Sequence, residues 1–313
     1  MSGFKLHRPG NRSLLSALVF MFFASLAFAT YPGKNGRIVF IEAKAGNFQL
    51  YTMNSDGSDV VQVTNLPPSQ NPFWTPAYSP DGQQIVFSND ATGAMELYAV
   101  NADGTGLRQL TNDAGDDIFA RWSRDASRII YSRFYIATNQ GVYHRLATVN
   151  ADGTNPHFLT HALFDDLEPT FFPEGNKVIF GSSRENLRSA LWSANADGSQ
   201  PKRITMPSLS AGTPDVSPDG LRLVFHDHEN TEYFPDIWTA RVDGTGLKRL
   251  TSPKALAAGE PAFSPDGKRI VFVGSDTFSF APDIYSMNED GSGLKLIHKC
   301  PEGCFSPNWG AQP

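Results

Sequence analysis

The stretch EPAFSPDGKRIVFVGSDTFSFAPDIYSMNEDGSGLKLI, residues 260–297, decides the fold of this chain. Its segments FSPDG and NEDGSG have turn composition, because proline presets φ, aspartate accepts hydrogen bonds from the following backbone and glycine tolerates positive φ. Around these turns lie PAF, KRIVFV, DIYSM and LKLI, which have the composition of short strands. One such unit predicts a four-stranded antiparallel meander.

The unit recurs six times along the chain. The first turn reads SPDG in three copies and degenerates to SRDA and FPEG in two others. The second turn keeps its glycine in every copy, with successive spacings of 47, 49, 45, 46 and 47 residues, at Gly57, Gly104, Gly153, Gly198, Gly244 and Gly291. A four-stranded repeat of this period is typical of a β-propeller blade.

The two ends of the repeat array predict how the ring closes. The array begins halfway through a unit, at GKNGRIVF (residues 33–40), which lacks the strand that should precede it. It stops at CFSPNWG (residues 304–310), which matches that missing strand. We therefore expect an all-β, six-bladed propeller of four-stranded antiparallel blades, closed by pairing of the N- and C-terminal segments, which leaves no open sheet edge.

The repeat resembles the TolB-like β-propeller family, a relative of WD-type repeats found in bacterial envelope proteins. The resemblance rests on patterns such as SPDGQQIVF at Ser79 and NADGTGLRQLT at Asn101, and it covers nearly all of the chain after the N-terminal segment. It implies protein recognition outside the cytoplasm, since the propeller of the protein that gives the family its name binds a peptidoglycan-associated lipoprotein and a translocation partner. Propellers host unrelated activities, so the resemblance predicts the fold more sharply than the function.

The N-terminus has the organisation of a secretory signal. Residues 1–29 contain a basic start, an apolar run and an Ala-Phe-Ala end, which favours cleavage before Thr30 over an uncleaved anchor. The remaining residues 30–313 are expected to form one monomeric propeller in the periplasm or outside the cell, without stable membrane insertion. Their formal charge of about −9 argues against nucleic-acid binding, which needs clustered basic residues.

The two cysteines, Cys300 and Cys304, lie in CPEGC directly before the closing strand. In an oxidising compartment this spacing predicts a disulfide that fixes a loop. The N-x-DG turns also offer several oxygens, but turn formation alone accounts for them, since they lack the ligand pattern of a calcium loop. The sequence therefore predicts neither a metal nor a cofactor.

Binding residues are expected on one face of the ring. The SPDG and N-x-DG turns share one face, whereas the connections between blades and between second and third strands form the other face, which is long, irregular and rich in aromatic residues. Many of these aromatics can pack against a neighbouring blade. Tyr135, Tyr233 and Phe278 are predicted in the middle of loops and are the candidates for an exposed interface.

A second candidate site comes from aligning the residue before each innermost strand, which gives Thr75, Phe119, Glu168, Thr213, Glu260 and Glu302. Innermost strands line the channel, so the three glutamates are predicted to converge at its mouth, together with Asp116, Asp117, Asp165 and Asp166. Such carboxylates can hold a cation, a basic peptide or a sugar. The alternative is a hydrated acidic rim with no ligand.

Two hypotheses of function remain open. The first is a non-catalytic binding scaffold for an envelope protein or a cell-wall-associated ligand. The second is a carbohydrate lyase or hydrolase that uses the channel glutamates, or His226 and His228 of the segment HDHEN. The sequence favours the scaffold, because it contains no G-x-S-x-G elbow or other nucleophile-and-base motif.

Overall fold

The structure is a computed structural model that describes residues 32–68, 75–113, 115–137, 141–161, 164–185, 189–206, 209–227, 235–252, 256–276 and 281–313. These residues form strands, turns and connecting segments, and none of them is α-helical. No described segment is a helix long and apolar enough to cross a membrane.

Within these described ranges, twenty-four strands form six four-stranded antiparallel sheets, which are the blades of a propeller. Blade 1 contains β24 (Cys304–Ala311), β1 (Asn35–Lys44), β2 (Asn47–Met53) and β3 (Val61–Gln62). Blade 2 contains β4 (Ala77–Tyr78), β5 (Gln84–Asn89), β6 (Glu96–Asn101) and β7 (Arg108–Gln109). Blade 3 contains β8 (Asp117–Trp122), β9 (Arg128–Ala137), β10 (Gly141–Asn150) and β11 (His157–Phe158).

The other three blades follow in chain order. Blade 4 contains β12 (Asp166–Phe171), β13 (Lys177–Ser182), β14 (Ala190–Asn195) and β15 (Lys202–Arg203). Blade 5 contains β16 (Ala211–Val216), β17 (Arg222–Asp227), β18 (Asp236–Arg241) and β19 (Lys248–Arg249). Blade 6 contains β20 (Ala257–Phe263), β21 (Arg269–Ser275), β22 (Asp283–Asn288) and β23 (Lys295–His298). The predicted fold class is confirmed.

The last strand closes the ring as the sequence predicted. β24 pairs antiparallel with β1, with Trp309 opposite Ile38 and Cys304 opposite Glu42. The Trp309 side chain is 3% exposed, and its Nε1 donates to Gly36 O at 3.3 Å. The first blade is therefore shared between the two ends of the described chain.

The second strand of each blade forms the centre of the core. Its segments are apolar on both faces, because each blade packs against a neighbour on either side. The aromatic residue in the middle of each is fully buried, at Phe40, Phe87, Tyr131, Phe180, Phe225 and Phe272. Burial of a side chain of this size stabilises the fold by roughly 1.5–3 kcal/mol, so this row explains the recurrent Ile-Val-Phe pattern.

The carboxylates of the repeated turns are used within the turns themselves. In blade 6, Asp266 Oδ1 accepts hydrogen bonds from Ser264 Oγ at 2.6 Å and from Lys268 N at 3.1 Å. In the second turn, Asp290 Oδ1 accepts from Ser292 N at 2.9 Å and from Ser292 Oγ at 2.6 Å. These bonds lower the pKa of Asp290, as expected of a carboxylate that caps a turn.

Blade 3 differs from the prediction because its third strand, β10, is longer than the third strand of any other blade, and its second strand, β9, is as long as β1. Tyr135 was predicted in mid-loop, but it lies in β9 and pairs with Tyr143 of β10. The segment around it is rich in aromatic and β-branched residues, which favour extension of the hairpin over a loop. Tyr233 and Phe278 lie outside the described residues.

Candidate functional site

Five of the six innermost strands carry a β-bulge at the channel, and in blade 2 the equivalent residue lies just before β4. In β12 the pairing skips from Leu167 to Thr170, so Glu168 and Pro169 share one position opposite β13. Two residues opposite one define a β-bulge, which bends the strand. Left-handed φ angles between 38° and 60° occur at the equivalent position of every blade, at Thr75, Phe119, Glu168, Thr213, Glu260 and Ser306. We call these six residues the bulge ring.

The bulge explains why proline occurs inside these strands. Proline follows the bulge-ring residue in every blade except blade 3, where Ala120 follows Phe119. A residue in a bulge is left out of the hydrogen-bonded ladder, so the missing N–H of proline leaves no carbonyl of the partner strand unsatisfied. The dipeptide pattern of Thr, Glu or Ser before Pro is therefore the sequence signal of this ring.

Glu302 is not a member of the bulge ring, and Ser306 has the position that the alignment gave to Glu302. Ser306 precedes Pro307 as Glu168 precedes Pro169, but this match was missed. Glu302 was predicted instead because it lies just before the closing segment CFSPNWG. Glu302 is exposed, and its carboxylate accepts hydrogen bonds from Ala45 N and Gly46 N, both at 3.0 Å. It stabilises the β1–β2 turn away from the channel cavity.

Three bulge-ring side chains connect neighbouring blades. Glu168 Oε2 accepts a hydrogen bond from Thr213 N at 2.5 Å and joins blade 4 to blade 5. Glu260 Oε2 accepts from Ser306 N at 2.6 Å and joins blade 6 to blade 1. Thr75 Oγ1 accepts from Phe119 N at 3.1 Å and joins blade 2 to blade 3. The two glutamates thus have a structural role in addition to any binding role.

The other three junctions use different acceptors. Two residues beyond the bulge ring, Asn308 Oδ1 accepts from Tyr78 N at 3.0 Å and joins blade 1 to blade 2. At the equivalent position of blade 5, Asp215 Oδ2 accepts from Phe263 N at 2.8 Å and joins blade 5 to blade 6. Blades 3 and 4 are joined by the bond from Glu168 N to Ser132 Oγ, at 3.2 Å. All six junctions therefore have a polar bridge.

Arg121 occupies the position in blade 3 where blades 1 and 5 have Asn308 and Asp215. A guanidinium cannot accept a hydrogen bond, so it cannot bridge the blades in the same way. Its Nη1 donates to Ala120 O at 2.9 Å, within its own strand, and it has no hydrogen bond to a neighbouring blade in the described part of the chain. Arg121 therefore presents a positive charge to the channel.

The charges near Arg121 influence its pKa. Burial lowers the pKa of the guanidinium, and the carboxylates of Asp215, Glu168 and Glu260 act in the opposite direction. An arginine remains protonated under ordinary conditions, so Arg121 places a fixed positive charge among the described residues of the channel, where it interacts with three carboxylates.

Burial also raises the pKa values of the two bulge-ring glutamates. The pKa of Glu168 is raised to about 7, first by burial and then by the charge of Glu260, although the bond from Thr213 N and the charge of Arg121 oppose the rise. The pKa of Glu260 is raised by burial as well. Glu168 can therefore gain or lose a proton near neutral pH, which a carboxylate in open water does not do.

These residues surround one cavity in the channel. It has a volume of about 300 Å³ and is lined by the bulge ring, the prolines that follow four of its members, Arg121 and His226. His226 Nδ1 lies 2.9 Å from Thr213 Oγ1. Because the bulges are near the start of the innermost strands, the cavity lies toward the face of the blade connections. A few charged groups among apolar walls are typical of a ligand site.

A second cavity adjoins the first between blades 5 and 6. It has a volume of about 260 Å³ and shares His226 and Glu260 with the channel cavity. Pro235, Val273 and Phe305 give it a largely apolar lining. Together the two cavities provide space for a ligand longer than one side chain.

The four aspartates that were predicted at the channel mouth do not line either cavity. Asp117 and Asp166 are fully buried and form ion pairs with Arg133 and Arg184, at 2.5 Å and 2.8 Å. Asp116 Oδ1 accepts a hydrogen bond from Met95 N at 2.8 Å, which links blades 2 and 3. Asp165 Oδ1 accepts from His144 N at 3.0 Å, which links blades 3 and 4.

The structure brings together some predicted site residues and leaves others apart. Glu168 and Glu260 line the same cavity, and His226 joins them, whereas His228 lies outside the described residues. Arg121 was not among the predicted binding residues. Its signal is that blade 3 has an arginine where the other aligned units have small, polar or acidic residues.

Comparison with known protein families gives one assignment. Residues 134–312 match the family model described as the TolB beta propeller domain, which is more than half of the chain. No curated protein matches the chain by sequence.

Solved structures with the same fold include proteins of different activities. TolB from Acinetobacter baumannii has 18% identity and a TM-score of 0.76 over 88% of this chain and 67% of its own. A putative TolB from Agrobacterium tumefaciens has 20% identity and a TM-score of 0.63 over 85% and 89%. Oligogalacturonate lyase from Vibrio parahaemolyticus has 15% identity and a TM-score of 0.58 over 88% and 79%. At these identities the likeness shows the fold alone.

Proposed function

Because the chain belongs to the TolB β-propeller domain family, we propose that it is an exported, non-catalytic scaffold that recognises a protein or a cell-wall-associated ligand. The loop face around the channel is the binding surface. The observation that carries this proposal is the channel cavity and the position of Arg121 in it. Glu168 and Glu260 form hydrogen bonds between blades, whereas Arg121 forms none in the described residues.

The chemistry of the cavity suits a ligand with both acidic and hydrogen-bond-donating groups. A guanidinium binds a carboxylate through paired hydrogen bonds, and the carboxylates of Glu168 and Glu260 accept hydrogen bonds from amides, amines or hydroxyls. The apolar walls include Phe119 and the prolines of the bulges. A peptide segment that ends in or contains an acidic residue fits this arrangement, and so does an acidic, peptide-bearing cell-wall fragment.

The proposed location is the periplasm or the extracellular space. The support is the signal-like composition of residues 1–29, which lie outside the described residues, and the acidic charge of the rest of the chain. The structure also joins Cys300 and Cys304 by a disulfide, a bond that persists in oxidising compartments.

Affinity capture with a matched pair of variants tests the proposal. Residues 30–313 are immobilised, incubated with cell-envelope extract, and compared with the Arg121→Gln variant. Glutamine keeps hydrogen-bonding groups but removes the charge, and Arg121 bridges no blades, so the variant should fold normally. We expect a retained protein or cell-wall fragment whose recovery falls about tenfold or more in Arg121→Gln, as for loss of a buried charge-assisted contact.

The control is Arg241→Gln. Arg241 is exposed at the end of β18, on the face of the repeated turns, and it does not line either cavity. Its variant loses the same charge and should retain the ligand as the unsubstituted chain does. Equal recovery by all three proteins would show that the channel is not the binding site, and no specific recovery by any of them would contradict the scaffold itself.

A carbohydrate lyase or hydrolase is a second candidate, favoured by one observation. Glu168, with a pKa of about 7, and the imidazole of His226 line the same cavity, so a carboxyl group that can gain or lose a proton near neutral pH lies in one site with a histidine. One neighbour of the same fold is an oligogalacturonate lyase. Incubation with oligogalacturonate and other acidic glycans, followed by chromatography of the products, tests this activity, and intact substrate would exclude it for those glycans.

A further inference from the structure

Four side chains with metal-ligand chemistry meet beside the seam where β24 closes the ring. They are Glu42, His298, Cys300 and Cys304. One ligand atom from each lies within 4.8 Å of the ligand atoms of the other three. None of the four lines the channel cavity, so the cluster is separate from the proposed binding site.

The strand pairing and the local sequence assemble this cluster. Glu42 and Cys304 are partners in the β1–β24 ladder, which places their side chains beside each other. His298 ends β23, and the spacing His-x-Cys-x3-Cys brings three donors within seven residues. The fourth donor, Glu42, comes from the opposite end of the chain.

Two donor atoms of the cluster are buried without a hydrogen bond in the described structure. They are Glu42 Oε2 and His298 Nε2, which lie 3.6 Å apart, and Glu42 is only 3% exposed. Lys44 Nζ approaches Glu42 Oε2 to 3.0 Å as an ion pair, but the Lys44 side chain is itself 54% exposed. Buried polar atoms without hydrogen bonds are rare, and a cation placed among them would satisfy both.

We infer that these four residues form a zinc site when the two cysteines are reduced. Zinc takes thiolate sulfur, imidazole nitrogen and carboxylate oxygen in four-coordinate sites, which is the donor set present here. When the disulfide is formed, both sulfurs are bonded to each other and the thiolate ligands are lost. The disulfide and the zinc site are therefore mutually exclusive states of the same loop.

Conversion of the disulfide form into the zinc-binding form requires an external reductant. A dithiol reductant supplies two electrons and two protons, the Cys300–Cys304 bond breaks to give two thiols, and the reductant becomes a disulfide. Zinc then binds the two sulfurs as thiolates, and two protons pass to solvent. A chain that folds before oxidation binds zinc without any reduction, because its sulfurs are already thiols.

The backbone around the cysteines is fixed by contacts that do not need the disulfide. Cys300 N donates to Asp283 Oδ1 at 2.7 Å, and Cys304 N donates to Pro282 O at 2.8 Å. Ala43 N donates to Gly303 O at 3.0 Å. These bonds keep the two sulfurs near Glu42 and His298 after reduction, so the ligands are already in place when the metal arrives.

Metal titration of the reduced chain tests the inference. The chain is refolded without metal in a phosphine reductant and titrated with Co²⁺, which reports thiolate ligands through charge-transfer absorption, and then with Zn²⁺. We expect one Co²⁺ per chain with thiolate and tetrahedral bands, which Zn²⁺ abolishes. Zinc should raise the melting temperature of the reduced chain and leave the oxidised chain unchanged, because only the reduced native state binds it.

Substitutions of the non-cysteine ligands identify the site. Glu42→Gln and His298→Gln should each weaken zinc binding about tenfold or more, since even indirect partners of a metal have effects of that size. The control is Glu96→Gln, which changes another buried glutamate, in β6, away from the cysteines. It should bind zinc as the unsubstituted chain does.

Three results would overturn the inference: the reduced chain gives no thiolate band, the oxidised chain binds zinc equally well, or Glu42→Gln and His298→Gln bind with unchanged affinity. If a ligand variant does not fold, zinc binding by the reduced and oxidised forms of the unsubstituted chain is compared instead. These two forms differ only in whether the sulfurs of Cys300 and Cys304 are free to bind metal.

Discussion

Glu168 combines two properties that depend on its protonation. Its Oε2 accepts the hydrogen bond of Thr213 N, and burial raises its pKa from the ordinary value of 4.5 to about 7. The folded chain therefore holds this proton more tightly than the unfolded chain. Consequently the contribution of Glu168 to the free energy of unfolding is largest below about pH 4.5, and it decreases as the pH rises to about 7.

We expect Glu168→Gln to remove this decrease. The amide oxygen of glutamine can still accept the hydrogen bond of Thr213 N, but the side chain does not ionise. Between pH 5 and pH 8 the free energy of unfolding of the unsubstituted chain should fall by on the order of 1–2 kcal/mol more than that of the variant. This is less than the full pKa shift implies, because channel water screens the charge. Urea unfolding at both pH values measures the difference.

The control for this prediction is Glu302→Gln. Glu302 is exposed and its pKa is lowered by the bonds from Gly46 N and Ala45 N, so it ionises at lower pH than Glu168. The variant should keep the pH dependence of the unsubstituted chain. An identical slope in Glu168→Gln would show that Glu168 does not titrate in this range.

The bridge made by Glu260 predicts a contrast between two substitutions. Glu260→Ala leaves Ser306 N without its acceptor at the junction of blades 6 and 1, which costs about 1–3 kcal/mol. Glu260→Gln keeps an acceptor oxygen and should cost less than half as much. Chemical denaturation of both variants at pH 8 tests this, and equal losses would mean that the charge, not the hydrogen bond, is the stabilising feature.

Residue positions in the channel were predictable where a repeat pattern marked them. Glu168 and Glu260 each lie directly before a proline at the start of their units, so the repeat alignment identified both positions. Ser306 was missed because the closing strand is preceded by the unrelated segment CPEGC, which offered Glu302 as a false match. The role of Arg121 depends on which acceptors bridge the blades, and that is a three-dimensional property that no single repeat contains.

At the scale of elements, the second turn of each blade shows why its glycine is so regular. A Cβ at Gly198 would overlap the carbonyl oxygen of Leu159, which follows the outermost strand of the preceding blade. Equivalent carbonyls of the preceding blade lie against Gly57, Gly104, Gly153 and Gly244. The glycine is thus required by close packing between blades as well as by the positive φ of the turn.

This packing predicts different costs for two glycine substitutions. Gly198→Ala introduces both a strained φ of 81° and an overlap with backbone, so we expect a loss of about 3 kcal/mol or more. Gly46→Ala has a similar φ of 70° but no atom within 4 Å of the added Cβ, so the loss should be about 1 kcal/mol. Thermal melting of the two variants gives the comparison, and equal losses would contradict the packing argument.

The strands themselves were predictable to different degrees. The segments of Ile-Val-Phe type were identified because a strand buried on both faces has a continuous apolar sequence. The long β9–β10 hairpin was predicted as a loop around Tyr135, because the repeat alignment imposed the average strand length on blade 3. Local β propensity extended the ladder there, and the alignment contained no information on that extension.

At the scale of the whole molecule, closure of the ring depends on β24. This strand completes blade 1, buries Trp309, and supplies Asn308 and Ser306 to the bridges with blades 2 and 6. The fold was predictable from the half-units at the two ends of the array. The ligand was not, because binding depends on the few positions at which the repeats differ.

A truncation tests this dependence on closure. A chain that ends at Pro301 lacks β24, exposes the edge of β1, and loses the bridges to both neighbouring blades. We expect loss of cooperative melting, or a melting temperature lower by at least 10 °C, since the losses of packing and hydrogen bonds together exceed about 5 kcal/mol. The exposed edge should also promote self-association, which sedimentation velocity detects.

Two controls separate β24 from its surroundings. A chain that ends at Ala311 keeps the whole strand and should melt close to the full chain. Cys304→Ser in the full chain removes the disulfide but not the strand, and the small loop that the bond closes predicts a loss of only about 2 kcal/mol. If the chain ending at Pro301 melted like the chain ending at Ala311, the ring would be stable without its closing strand, and blade-to-blade packing alone would have to hold the propeller together.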